Sequence, residues 1–288
     1  MFKLNLLRHY GPVARVDRLD IPWENKIDRA IFRGALTGMQ PERHEGDTFV
    51  ELCSAIPRCW FVYQLLHSRN KSLVDAKLVR TEMSLLPDVK VLGPPVGLYG
   101  KSVSMKNMLK CKMIIMLEGN DVSSGLKWAL YSNSVVLMPE PKYTSWTLEE
   151  LLVPWVHYVP LTLESPGNNA SDGESALSDV EEKAAWVLSN DEHARKIAYN
   201  GKLWITDLLF HKDVKQDEHD IVNDMVGRYS RFWRLADTTQ SSADRSAVHQ
   251  FLKRALAKRL LMPTRAGFES CLPVHQDWTH RCKTNLAF

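Results

Sequence analysis

The 288-residue chain lacks any run of about 18 apolar residues, the length a bilayer-spanning helix needs, so no transmembrane segment is expected. Its opening, "MFKLNLLRHYGPVARVD", holds too short an apolar stretch for a signal peptide, which reads as a cytosolic start if the sequence is complete as given. Cysteine is scarce: Cys53, Cys59, Cys111, Cys271 and Cys282 are an odd set that fixes no disulfide framework. In an oxidising compartment Cys53 with Cys59, or Cys271 with Cys282, are candidate pairs. Cys271, His275, His280 and Cys282 match no standard zinc spacing, so no metal site is expected. Charge of one sign is also missing. A net charge of +3 announces no nucleic-acid partner, though it is compatible with a small anionic ligand. Neither GxGxxG nor GxxxxGK[ST] occurs, which argues against the commonest dinucleotide and triphosphate loops.

What is present is an alternation of short apolar runs with helical patterns. "CKMIIMLEG" (111–119), "SVVLMPE" (134–140) and "HYVPLTL" (157–163) are continuous apolar runs, as strands buried on both faces require. Between them "SSGLKWALYSN" and "TLEELLVPW" read as helices, the second stopped by Pro154. Strand and helix in turn indicate an α/β, Rossmann-type, doubly wound domain. "AIFRGALTG" (30–38) reads as a further strand entering a turn, and "RCWFVYQLL" (58–66) as a buried strand or helix. "ESPGNNASDGES" (164–175) reads as an exposed loop. Beyond it, Ser178 with Glu181 and Ser189 with Glu192 fit capping boxes, and Asn200-Gly201 a helix stop. Ile221, Met225, Val226, Tyr229 and Phe232 lie on one face of a later helix, and "SAVHQFLKRALAKRLL" on a basic one before an irregular tail.

The polar turn "LEGNDVSSGL" joins the central apolar run to a helix. In open α/β sheets ligands sit beyond the carboxyl ends of the strands, where unpaired first-turn N–H groups favour phosphate. Gly119 would allow close approach, and Ser123 and Ser124 would add hydroxyls. The same residue types also serve simply as helix caps. Arg33 could clamp a phosphate bidentately or instead hold a neighbouring carboxylate. Glu140, just past an apolar run, could accept a ribose hydroxyl or stand as a solvated loop acid. Tyr143 and Trp146 are either rim or packing aromatics, and His157 is better suited to packing and hydrogen bonding than to catalysis.

"FRGALTG", "LKCKMIIMLEGNDVSSGLKWALYSNSVVLMPEPKYTSW" and "LLVPWVHYVPL", in this order, resemble successive blocks of glycosyltransferase family 90, from about Trp23 to Trp233. The resemblance implies a GT-B fold with a nucleotide-sugar in the cleft. The expected division is a remnant at 1–30, a Rossmann-like donor-binding domain at 31–235 and a helical extension at 236–288, with the N-terminal acceptor domain largely missing. It implies inverting transfer from a UDP-sugar to a hydroxyl on protein or glycan, metal-independent and without a cofactor. The endoplasmic reticulum or Golgi lumen is implied as location. Gly119, Asn120, Asp121, Val122, Ser123 and Ser124 are implied at the diphosphate, with Arg33 facing the same pocket. Two positions depart from the family: Gly125 and Leu36 stand where basic residues are common, which shifts weight to Arg33, the helix N-terminus and Lys127. The family's catalytic aspartate precedes "FRG" by several tens of residues, so no base is assigned; Asp17, Asp20 and Asp28 do not stand in its context. The alternative reading is a non-catalytic nucleotide-sugar-binding module, or a fragment lacking the base.

Overall fold

The computed structural model describes residues 11–38, 48–66, 72–79, 94–163 and 179–232. Of these, the residues up to His211 belong to one compact unit and those from Lys212 to a second. Among the described residues the first unit has six strands: β1 (Ile27–Ala35), β2 (Val74–Val79), β3 (Tyr99–Gly100), β4 (Cys111–Ile115), β5 (Val135–Met138) and β6 (Val159–Pro160). All pair in parallel in the order β3-β2-β1-β4-β5-β6. The sheet grows one way from β1 through β2 and β3, then resumes on the other side of β1 with β4. This is the doubly wound Rossmann order, with its reversal between β1 and β4.

Period-two burial divides each central strand between two apolar layers. Met113 and Ile115 of β4 and Val135 and Leu137 of β5 face one layer with Ala30 and Phe32 of β1. Ile114, Val136, Met138 and Ile31 face the other, which Cys111 at the start of β4 also joins out of period. The first layer is covered by α2 (Phe49–Ser54), α3 (Pro57–Leu66) and α6 (Val180–Ser189). The second is covered by a helical segment at Val13–Leu19 that includes α1 (Val16–Leu19), by α4 (Met105–Met108) and by α5 (Leu126–Leu130). α7 (Asp191–Phe210) serves both, with Ala194, Ile197 and Ala198 in the first layer and Ile205 in the second. Burying both faces of the sheet explains why the central β4 and β5 lie in nearly unbroken apolar runs.

The segment before β1 belongs to this core. Val13, Val16 and Trp23 are buried, and the Lys26 ammonium bonds the carboxylate of Asp20 and the Leu109 carbonyl. Burial pulls the Lys26 pKa down against the Asp20 charge that supports it.

Several local expectations are corrected. "TLEELLVPW" forms only a 3-10 turn at Glu149–Leu151, because Leu148 adopts φ 53° and Glu149 folds back onto the preceding loop. "HYVPLTL" contributes only the two-residue β6, where Pro160, which cannot donate to a ladder, sits on an edge strand. The Ser189–Glu192 capping box does not form, since α7 is capped by Asn190, while Ser178 of the other box lies outside the described residues; neither Asp179, which precedes α6, nor Asn190 makes a side-chain cap bond. Asp179 instead accepts the Thr162 amide at 2.9 Å and pairs with Lys183. α7 runs straight through Asn200-Gly201. A Cβ at Gly201 would stand 3.0 Å from the His157 carbonyl oxygen and 3.1 Å from Leu130 Cδ2, so this glycine answers to packing against α5 and the approach to β6. "RCWFVYQLL" resolves as helix, in α3.

In the second unit α8 (Val214–Phe232) starts seven residues before Ile221, and Ile221, Met225 and Val226 are exposed on it. The loop 164–175, the basic segment 246–261 and the Cys271–Cys282 group lie outside the described residues. Among the described residues no helix is long and apolar enough to cross a membrane, and no three His, Cys, Asp or Glu side chains cluster as a metal site would require.

Candidate functional site

The switch point places the ends of β1 and β4 side by side. β1 runs on through Leu36, Thr37 and Gly38, and β4 through Met116, Leu117, Glu118 and Gly119. The two ends are fastened by side chains. Asn120 Oδ1 accepts the Gly38 amide at 2.9 Å. Arg58, in the first turn of α3, donates from Nε to the Glu118 carbonyl at 2.9 Å and from Nη2 to the Leu117 carbonyl at 2.6 Å. Its Nη1 reaches the Ala35 carbonyl at 3.2 Å and Thr37 Oγ1 at 2.8 Å. Burial pulls its pKa down, opposed by the charges of Asp121 and Glu118, yet a guanidinium stays charged in any working buffer.

Gly119 is required here by its own chain. A Cβ would come 2.4 Å from Thr37 Oγ1 and 3.1 Å from Arg58 Cζ. The Glu118 carboxylate accepts the amides of Lys142 (3.1 Å) and Tyr143 (3.0 Å), drawing the segment after β5 against the turn. Glu140 is exposed just ahead of that contact. Asn120 and Asp121 are exposed, Val122, Ser123 and Ser124 half-buried. Ser123 Oγ lies 3.5 Å from Met116 Sδ. Gly119–Ser124 and Glu140 thus stand on neighbouring strand ends.

Arg33 is held differently. Its Nη2 bonds both carboxylate oxygens of Asp75 at 2.9 and 2.8 Å, and Nη1 bonds the carbonyls of Phe32 and Asp75. This is the carboxylate alternative for Arg33, made with the neighbouring strand β2.

Lys127 is also committed. It is fully buried, 2.8 Å from Glu149 Oε1, and so is not a free cation for a ligand at the turn. Burial pushes the Glu149 carboxyl up, but Lys127, Thr147 and Ser145 outweigh it and leave it below the ordinary carboxylate range. α5 has only five residues, so its aligned peptide dipoles are few, and donors near the turn must come largely from the loop itself. Leu36 is packed in the apolar layer. At Gly125 a Cβ would press on Met116 at 3.2 Å.

His157 packs and bonds: Nδ1 accepts the Val153 amide at 2.9 Å, its ring lies 5.2 Å from that of Trp204, and burial lowers its pKa. Tyr143 is exposed and Trp146 half-buried. Cys53 and Cys59 form a disulfide. Arg58 and Glu118 are the site residues that pattern reading missed. A signal for Arg58 existed in "CSAIPRC", an arginine inside a short cysteine bracket at a proline-led helix start.

The family described as Glycosyl transferase family 90 matches residues 14–266. O-glucosyltransferase LpsA of Dichelobacter nodosus is 36% identical over 206 residues, covering 72% of this chain and 50% of that protein. Protein O-glucosyltransferase 2 of Danio rerio is 30% identical over 194 residues, 67% of this chain and 30% of that protein. Protein O-glucosyltransferase 1 of Homo sapiens is 26% identical over 236 residues, 82% and 50% respectively. The chain spans half or less of the length of these relatives. A Rossmann-ordered sheet with a polar turn at its switch point, matched to the family along most of its length, makes this chain a member of glycosyl transferase family 90.

Proposed function

We propose that this chain is the donor-binding part of a glycosyltransferase that moves a sugar, glucose by analogy with its relatives, from UDP to a hydroxyl on protein or glycan. The observation that carries the reading is the Gly119–Ser124 turn at the β1–β4 switch point, where open α/β sheets receive nucleotides. In the proposed site the amides and hydroxyls of Gly119, Asn120, Asp121, Val122, Ser123 and Ser124 face the diphosphate, and Glu140 accepts from the ribose. Arg33 enters with a condition: direct contact requires its pair with Asp75 to open.

In an inverting transfer the acceptor hydroxyl attacks the anomeric carbon as its proton passes to a base. The bond from that carbon to the diphosphate oxygen breaks, and UDP leaves with the electron pair. Donors preorganised at the turn would stabilise the charge growing on that oxygen. Residues 31–235 are proposed as the donor half of a GT-B architecture acting without metal.

Calorimetric titration with UDP, GDP and NAD tests nucleotide choice, with selective UDP binding expected and preference for NAD counting against the reading. Transfer of labelled glucose from UDP-glucose to water or an acceptor hydroxyl, with and without EDTA, tests turnover and metal independence. UDP binding without turnover favours the binding-module reading, since no base is assigned among these residues.

A further inference from the structure

We propose that Arg58 is a positioning residue for the donor turn, and that the Cys53–Cys59 disulfide sets the place from which it acts. This rests on the donor reading above. Arg58 bonds both halves of the switch point from a third element: Ala35 and Thr37 at the end of β1, Leu117 and Glu118 beyond β4. Three of its four acceptors are backbone carbonyls. Its bonds therefore define where the backbone lies rather than neutralise a neighbouring carboxylate.

The planar fork makes this arrangement specific to arginine, because a lysine ammonium donates from one point and cannot span two strand ends. The fork also lies over Gly119, where a Cβ would stand 3.1 Å from Cζ and 3.2 Å from Nη1. Gly119 and Arg58 are thus complementary: the missing side chain of one makes room for the other, and the first residue of the turn rests on the guanidinium.

The anchor of Arg58 is itself fastened. α2 and α3 meet at a corner, and the Cys53–Cys59 bond closes it with the Cα atoms 5.1 Å apart. Both cysteines are 1% exposed, and Arg58 is the immediate neighbour of Cys59. The bond holds the first turn of α3 at a fixed distance from α2, and hence the guanidinium at a fixed height over the turn. Without it the helix start can shift within the same apolar layer, carrying the fork away from acceptors that tolerate only a few tenths of an ångström.

The test compares the native protein with Arg58→Lys, Arg58→Met and Cys53→Ala/Cys59→Ala, reading residue-level amide exchange and UDP affinity. Arg58→Lys keeps the charge and removes the fork. The expected result is exchange faster by roughly tenfold or more at Gly38 and Gly119, whose amides bond Asn120 and the Asp121 carbonyl, with Met116 and Leu161 in the sheet unchanged. UDP binding should weaken by about tenfold in Arg58→Lys and at least as much in Arg58→Met. The disulfide variant, which keeps Arg58 and all its acceptors, should show the same local pattern more weakly. Uniform acceleration across all four amides, or none, overturns the proposal. So does full UDP affinity in Arg58→Lys with loss only in Arg58→Met, which would make Arg58 a charge and not a positioner. If the native protein does not bind UDP, the donor reading falls, while the exchange pattern still decides whether Arg58 positions the turn.

Discussion

The ammonium of Lys127 lies 2.8 Å from Oε1 of Glu149, and neither side chain meets solvent. Two residues into α5, Lys127 is close in sequence to the Gly119–Ser124 turn, but its charge is consumed inside the fold. Glu149 also accepts from the Ser145 amide and from Thr147 Oγ1, so the pair ties α5 to the loop after β5. Removing one member of a buried pair strands the other.

Lys127→Met should therefore lower unfolding free energy by about 3–5 kcal/mol, and Lys127→Met with Glu149→Gln by distinctly less. Urea unfolding of the two variants measures the difference. Equal losses would show that the pair is not the source.

Arg33 and Asp75 make a separate test. Arg33→Met should weaken UDP binding, and Asp75→Asn should strengthen it, because the guanidinium no longer has to leave a carboxylate to meet a diphosphate. Titration calorimetry reads both. Unchanged affinity in both variants removes Arg33 from the donor site and leaves it as a link between β1 and β2.

Ser123→Ala with Ser124→Ala should reduce UDP affinity by about threefold to thirtyfold, the range of one or two neutral hydrogen bonds, with little change in Tm. Both residues are half-buried on the turn, and the Ser123 hydroxyl makes a long contact of 3.5 Å to the Met116 sulfur, so the fold depends little on it. Unchanged affinity would move the diphosphate off this turn.

Acid should destabilise the protein in two stages. Burial holds the His157 pKa below the ordinary imidazole value of 6.5, so its neutral form is favoured in the fold. Glu149 is held below the ordinary carboxyl value of 4.5 despite burial, chiefly by Lys127. Both folded values lie below the unfolded ones, so in both cases stability is present above the unfolded pKa and lost as pH falls toward the folded one. Unfolding free energy should begin to fall below about pH 6.5 and fall further below about 4.5. His157→Gln, measured by urea unfolding across this range, should flatten the first stage only.

Gly201→Ala separates two accounts of one residue. Helix propensity alone would favour alanine by about 1 kcal/mol. The His157 carbonyl 3.0 Å from the new Cβ is backbone and yields little, so a net loss of about 1–3 kcal/mol is expected. A gain on thermal unfolding would mean the contact relaxes freely.

The sequence by itself determined the α/β class, the presence of a strand within each of the runs 111–119 and 134–140, and the turn between strand and helix, because a buried parallel sheet needs continuous apolar runs and its connections need polar, glycine-bearing turns. It did not reveal β2, whose "VDAKLV" alternates and carries two charges, or β3, which is two residues long and paired only through Leu78 and Val79. It also misjudged Gly201 and the Ser189–Glu192 capping box, since a glycine needed for close packing looks in sequence like one that ends a helix. Only the tertiary structure decided the strand order, and with it which turn lies at the switch point. It also decided which cations are free: Lys127 and Arg33 meet partners 22 and 42 residues away, and Arg58 meets strand ends 21 to 60 residues away. Charge pairing across the fold is a matter of distance in space, and local pattern carries no record of it.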